Sequence, residues 1–340
     1  MNNKRLIIAL IVLVLLLAFV YVMVQSQQES KENKAQFETI LIGKGSSPKW
    51  SQNGTKIAFI SEDGWLTIAD ADGKGEIRKI VEANFGSFNW LDSTTFLVYK
   101  KEFMRDEKEK QNIRILTVKS LTLDGKEDLI IEDKNIGPPN FRGPIFFKDG
   151  TVGYYEGRWE LLGKDKQFKL IKKGKLSLKK AQGELEAITT EGYVGWGPIW
   201  LQSIDGSFKK RITEGETAYS FPELSPDGTK IAAIIMRGDI IVLDINGDEL
   251  ANLGRGDIFK RGLTGCWSPD SKKIAYELTK ENEYNVIASE LYVVNWDGTD
   301  KQQITNTSDE IEMYPQWSPE GSRILCWSYN TGNIFVIKLE

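Results

Sequence analysis

The sequence predicts an all-β protein: a β-propeller of seven four-stranded blades behind an N-terminal transmembrane helix. Three observations carry that expectation. An apolar run fills residues 6–24, a strand-turn-strand motif returns about every 44 residues, and an Asp-Gly or Asn-Gly hairpin follows most copies of it. No amphipathic helical stretch interrupts the pattern, which sets it apart from solenoids of helix pairs with a similar period.

The apolar run comes first in the chain. At about 1.5 Å per residue it reaches roughly the 30 Å of a hydrocarbon core. Lys4 and Arg5 precede it, so the positive-inside bias keeps the N-terminus cytoplasmic and sends the rest of the chain across the membrane. Residues 1–24 therefore read as an uncleaved anchor. A cleaved signal peptide is the alternative, but the run exceeds the usual apolar core of about 15 residues and no A-x-A site follows. Residues 25–36 are polar and charged, as expected of a tether.

Residues 37–340 make up the repeat region. The clearest copies are Trp50-Ser51-Gln52-Asn53-Gly54-Thr55-Lys56-Ile57-Ala58-Phe59, Leu224-Ser225-Pro226-Asp227-Gly228-Thr229-Lys230-Ile231-Ala232-Ala233, Trp267-Ser268-Pro269-Asp270-Ser271-Lys272-Lys273-Ile274-Ala275-Tyr276 and Trp317-Ser318-Pro319-Glu320-Gly321-Ser322-Arg323-Ile324-Leu325-Cys326. Weaker copies begin at Trp90, at Phe146 and near Leu178. Seven starts between Trp50 and Trp317 give six intervals of about 44 residues, the length of a four-stranded blade. Six or eight blades are the alternatives that the degenerate middle copies leave open.

A second hairpin follows at Asp72-Gly73, Asp124-Gly125, Asp205-Gly206, Asn246-Gly247 and Asp297-Gly298, with a degenerate turn expected at Gly163-Lys164-Asp165. These dipeptides tolerate the positive φ of two-residue turns. The last unit stops at Ile337-Lys338-Leu339-Glu340, one strand short, while residues 37–42 form a strand with no partner of their own. Pairing the two would close the ring and leave no exposed end.

The W-S-P-D-G-x-x-I-A motif with its following D-G hairpin resembles the TolB-type β-propeller repeat, which also occurs in propeller domains of some peptidases. The resemblance covers residues 37–340. It implies a periplasmic or surface protein-binding module, and it carries over no functional residue, because the motif positions are structural in that family. In the peptidases the propeller gates a separate hydrolase domain, for which this chain offers neither a G-x-S-x-G elbow nor a histidine.

Composition narrows the chemistry further. The chain has no histidine, which removes Ser-His-Asp and Cys-His catalysis and histidine metal ligation. Cys266 and Cys326 are too far apart for a CxxC pattern and read as free, buried thiols, with a disulfide between adjacent blades as the alternative that an oxidising exterior would permit. A net charge of -4 and the lack of a basic, aromatic-interleaved stripe argue against nucleic acid. No metal site and no cofactor are expected: Asp70-Ala71-Asp72-Gly73 lacks the spaced ligands of a calcium loop and reads as a hairpin turn.

Function is expected on the face that carries the B–C and D–A connections, because these are the long ones: 100–112, 135–142, 214–221, 254–264, 280–289 and 306–314. The candidate binding residues there are Phe141, Arg142, Tyr219, Phe259, Arg261, Tyr284 and Tyr314, aromatic and arginine side chains of the kind that dominate interfaces. The expected protein is a monomeric, non-enzymatic envelope scaffold that binds a protein or peptide. A carbohydrate or cell-wall ligand is the rival, and a glycosidase built on carboxylates alone is the third reading.

Overall fold

The computed structural model describes residues 37–106, 111–136, 145–146, 152–156, 167–172, 175–177, 185–189, 196–203, 208–236, 238–255, 266–281, 286–307 and 310–339. These residues form twenty-five strands and no helix. The first unit holds β1 (Thr39–Trp50), β2 (Lys56–Ser61), β3 (Trp65–Asp70) and β4 (Arg78–Glu82). The second holds β5 (Ser87–Trp90), β6 (Thr95–Asp106), β7 (Gln111–Thr122) and β8 (Glu127–Ile136). Next come β9 (Ile145–Phe146), β10 (Val152–Glu156), β11 (Gln167–Lys172) and β12 (Lys175–Ser177), then β13 (Leu185–Thr189), β14 (Ile199–Ser203) and β15 (Lys209–Arg211). The C-terminal part holds β16 (Tyr219–Leu224), β17 (Lys230–Ile235), β18 (Asp239–Asp244) and β19 (Glu249–Arg255). It continues with β20 (Lys273–Glu281), β21 (Val286–Asn295) and β22 (Gln302–Gln303), then β23 (Glu312–Trp317), β24 (Arg323–Ser328) and β25 (Asn333–Lys338). Within each unit consecutive strands pair antiparallel.

Two units share one strand. The N-terminal half of β1 pairs with β25, Thr39 opposite Ile337 and Lys44 opposite Asn333. Its C-terminal half pairs with β2, Gly45 opposite Ser61 and Trp50 opposite Ile57. The changeover needs a glycine, because a Cβ at Gly45 would stand 2.0 Å from the Ile60 carbonyl oxygen. Phe37 and Ile42 are buried in two different core clusters, which the last unit makes with the unit before it and with the first unit.

Alternation along the inner strands sends successive side chains to opposite faces, and each face packs on a neighbouring unit. In β17 and β18, Ile231, Ala233, Ile241 and Leu243 meet Ile199 and Leu201 of the preceding unit. Ala232, Ile234, Ile240 and Val242 meet Cys266, Trp267, Ile274 and Tyr276 of the following one. The same relation links β20–β22 to β23–β25, then β23–β25 to the first unit, and the first unit to the second. Six sheets, from β13–β15 through the last unit and the first to the second, thus pack in succession, the arrangement of blades in a β-propeller.

The motif tryptophans stitch the sheets together. The Trp267 indole N–H donates to the Glu223 carbonyl at 3.1 Å, Trp317 to Cys266 at 2.9 Å, Trp50 to Gln316 at 3.1 Å and Trp90 to Lys49 at 3.2 Å. Each acceptor lies one residue before the corresponding motif position of the neighbouring unit. The Trp50 bond spans the closure, 266 residues apart in sequence. These rings are blade mortar, not ligand platforms.

Three expectations are corrected. The segments 100–112 and 280–289 are not loops: β6 and β7 stay paired from Thr95–Thr122 to Asp106–Gln111, and β20 and β21 from Lys273–Asn295 to Glu281–Val286. The second hairpin of the unit at Phe146 turns between Lys172 and Lys175, whereas Gly163-Lys164-Asp165 falls in the β10–β11 connection, outside the described residues.

Candidate functional site

The two ends of the ring differ in chemistry. At the end that carries the motif turns, each acidic or amide side chain is consumed locally. Asp227 Oδ1 accepts from the Ser225 hydroxyl at 2.6 Å, the Thr229 N–H at 3.0 Å and the Thr229 hydroxyl at 2.8 Å. Asn53 and Asp270 repeat the pattern. Partial burial opposes ionisation of Asp227, but these donors win and hold its carboxyl down at about 2. In the second hairpins Asp244 and Asp297 are likewise held by Asn246, Asp248 and Thr299. Gly247 sits at φ 98° with a would-be Cβ 1.9 Å from the Ile212 carbonyl oxygen, so that turn is wedged against the preceding unit. At the supposed calcium loop, Asp70 pairs with Lys56 at 2.7 Å and Asp72 accepts the Lys74 N–H at 3.0 Å. Among the described residues no group of three or more Asp, Glu or Cys side chains could hold a metal ion.

At the other end glutamates are buried. Between the unit of β20–β22 and that of β23–β25, Glu277, Glu290 and Glu312 are almost fully covered, and Glu310 borders them. The Thr305 hydroxyl donates to Glu290 Oε2 at 2.8 Å and accepts the Leu291 N–H at 2.8 Å. The Thr307 N–H donates to Glu290 Oε1 at 3.1 Å, and its hydroxyl to Glu312 Oε1 at 2.6 Å. Glu310 receives the Asn333 amide at 2.8 Å and the Thr331 hydroxyl at 2.5 Å, and Glu277 receives the Tyr314 N–H at 3.1 Å.

Glu312 is the exception in this network. It is 1% exposed, and its Oε2 has no hydrogen-bond partner among the described residues. Burial first, and then the like charges of Glu290 and Glu310, push its carboxyl up to about 7 against the pull of Thr307. Burial also acts on Glu310, but Ser328, Thr331, Asn333 and Lys44 outweigh it and hold that carboxyl below its ordinary range. Cys326 is free and buried, and burial together with Glu312 and Glu310 raises its thiol. Cys266 is also free and buried, within a different cluster.

Two of the seven candidate residues fall among those described. Tyr314 stands in β23, half-buried, stacked on Trp327 at 6.3 Å and 12°, with Trp327 edge-on to the exposed Tyr329 at 6.0 Å. Tyr219 opens β16, exchanges backbone hydrogen bonds with Gly197 and packs its ring on the Ile199 and Leu243 core. Burial raises its phenol. Phe141, Arg142, Phe259, Arg261 and Tyr284 lie outside the described residues. The left-handed backbone of Tyr314 (φ 55°) is shared by Ser47 (56°) and Phe221 (50°). All three precede a proline where the first strand breaks register, so the conformation belongs to the repeat and not to a site.

Sequence reading missed the glutamates because they do not recur with the motif and are scattered from 277 to 312. One signal was present: Glu310 and Glu312 alternate with Ile311 and Met313 at a strand start, a placement that puts both acids on one face of the strand.

No family model matches the chain. Over 89 residues, a quarter of this chain, it is 36% identical to the Tol-Pal system protein TolB of Coxiella burnetii, and the match spans 20% of that protein's length. Among solved structures it is similar to TolB from Acinetobacter baumannii, at 17% identity over 85% of this chain and 64% of that one, with a TM-score of 0.38. It is also similar to the Cps50 β-propeller domain of Myceliophteria thermophila, at 12% identity over 88% and 98% of the two chains, with a TM-score of 0.45. A third is oligogalacturonate lyase from Vibrio parahaemolyticus, at 14% identity over 86% and 77%, with a TM-score of 0.38.

Proposed function

We propose that this chain is a seven-bladed, membrane-anchored envelope scaffold that binds a protein or peptide at the end of the ring carrying the B–C and D–A connections. The observation behind it is the contrast between the two ends: short motif turns whose Asp Oδ1 atoms are engaged by donors of their own turn at one, buried glutamates and stacked aromatics at the other. The segmental likeness to a Tol-Pal system protein supports an envelope role. The apolar run 6–24 after Lys4 and Arg5 supports a single span with the ring outside the cytoplasm. Among the described residues no helix is long and apolar enough to cross a membrane, and residues 1–36 fall outside that set. With no histidine in the chain, we read it as a binder and not an enzyme, monomeric in its ring.

Affinity capture from solubilised envelope, with alanine variants at Tyr314 and Tyr329 and at short-turn positions Asn53, Asp227 and Asp297, tests this. Binding lost only with the short-turn changes in folded protein would place the site at the opposite end. The Tyr314–Trp327 stack favours one second reading, a sugar ring laid on aromatic faces. Retention of the chain on cell-wall polysaccharide without any captured protein would support that reading.

A further inference from the structure

We propose that the ring stands on its motif-turn end, with the outer rim of that end as an apolar contact on the bilayer that holds the anchor. This inference rests on the single-span reading above and adds which way the ring faces. The end with the B–C and D–A connections is then turned away from the membrane, free for its partner.

The chain enters the fold at the motif-turn end. Phe37 is buried in one cluster with Trp317, Ile324 and Ile337. Beside it the Lys338 N–H donates to the Glu38 carbonyl at 2.9 Å, and the Lys338 ammonium to the Glu38 carboxylate at 2.9 and 3.0 Å. The Leu339 N–H donates at 3.0 Å to the carbonyl of Ser322, in the motif turn of the last unit. The point where residues 25–36 meet the ring is therefore pinned level with the motif turns. A flexible segment of that length spans about 20 Å on average and about 40 Å at full stretch. The six residues of β25 put the other end of the ring about 20 Å farther from this point. On so short a lead, the motif turns are the part of the ring that meets the bilayer first.

The rim at that end carries exposed apolar side chains. Ile77, Leu129, Phe208, Leu250 and Leu41 are exposed at, or within three residues of, the motif-turn end of the outermost strand of five different units, and Ile245 is exposed in the turn before one of these strands. Exposed apolar residues scattered singly are ordinary. These recur at one level, and two of them flank the point of entry. A Cβ at Gly43 would stand 3.5 Å from Ile77 Cδ1, and one at Gly73 would stand 2.6 Å from Ile40 Cγ2, which sets the Leu41 segment against the turn that leads to Ile77. Leu41 and Ile77 are each 55% exposed. Residues spread around a circumference do not make one patch for a protein partner or a second copy. A membrane interface is a plane that meets a rim as a whole, and it takes up apolar side chains without demanding a matched shape.

The full chain is placed in phosphatidylcholine nanodiscs, with or without a lipid that carries a nitroxide at headgroup level. A fluorophore is attached through Lys74→Cys or Lys210→Cys at the motif-turn end, or through Met236→Cys or Ile287→Cys at the other; Cys266 and Cys326 are buried and escape labelling. Quenching at positions 74 and 210 should exceed that at 236 and 287 by about threefold and persist in high salt, since the contact is apolar. Leu41→Ser with Ile77→Ser, both exposed, should bring position 74 down to the level of 236. Equal quenching at the two ends, stronger quenching at 236 and 287, or quenching at 74 that ignores the serine changes would overturn the proposal. Chain held in the discs with all four positions unquenched would refute the contact and leave the anchor standing, whereas chain recovered outside the discs would sink the single-span reading and this inference with it.

Discussion

Glutamine at position 312 should remove a pH-dependent weakness from the fold. The folded carboxyl sits at about 7 against an ordinary value of 4.5 because burial and the neighbouring glutamates disfavour its charge. The folded state therefore holds this proton more tightly than the unfolded chain. Stability is full below about pH 4.5 and is lost as pH rises towards and through 7. At about 1.36 kcal/mol per unit, the complete loss is about 3 kcal/mol, of which about 2.5 kcal/mol falls between pH 5 and pH 8.5. A ring of about 300 residues melts with an entropy of about 0.6 kcal/mol/K, so 2.5 kcal/mol corresponds to about 4 °C. Calorimetry of wild type and Glu312→Gln at both pH values isolates this group from every other that titrates. The wild type should fall by about 4 °C more than the variant on going from pH 5 to pH 8.5. Parallel pH profiles would show that Glu312 already ionises freely in the fold and would refute the reasoning.

Four further outcomes follow from the same geometry. Deleting residues 1–43 should lower the melting temperature far more than deleting 1–34, because it removes the strand on β25 and the buried Phe37 and Ile42, worth about 1.5–3 kcal/mol each. Equal melting temperatures would mean that the shared strand does not hold the ring. Trp317→Phe and Trp50→Phe, which delete one indole N–H bond between blades each, should each cost about 1 kcal/mol by denaturant unfolding. Asp227→Ala should destabilise the protein at neutral pH, and the difference from wild type should vanish as pH falls from about 3.8 through about 2, since the depressed carboxyl stabilises only while ionised. Protease added to spheroplasts should cut a C-terminal tag if the chain spans once with its ring outside, and cleavage only after lysis would reverse that orientation.

The ring was legible because its physics is local and repeated. A Ser and an Asp or Asn two residues apart can only close a tight turn, and the Lys or Arg that begins the next strand donates its N–H back to that Ser, as Lys56, Lys230, Lys273 and Arg323 do. Four copies of such a device announce themselves. The pairing of residues 37–42 with the last unit was legible by elimination, from one orphan strand and one missing strand, but not the continuation of that strand into the first unit. What escaped was set by contacts between units. The β6–β7 arm looked like a loop because residues 100–112 are mostly charged, with Phe103 and Met104 their only apolar side chains, and the turn after Lys172 has no Asp to mark it. Of the candidate site, Tyr314 was picked from the sequence as an exposed-looking aromatic, yet its neighbours Trp327 and Glu277 come from strands of two different units. No window of sequence contains that grouping.

The division of acids between the two ends follows from side-chain length as much as from selection. An aspartate has one methylene, so its carboxylate stays beside its own backbone and finds donors two residues on, as Asp227, Asp270 and Asp297 do. A glutamate has one more, which carries its carboxylate past its own strand to a neighbour's threonine, as Glu290 reaches Thr305 and Glu312 reaches Thr307. Turn aspartates therefore come satisfied, and their substitution is felt as lost stability. Glutamates set between blades depend on whatever the adjoining unit offers, and at Glu312 that offer falls one donor short. A repeat built on self-sufficient turns thus leaves its buried, unpartnered acid at the end where blades must satisfy one another.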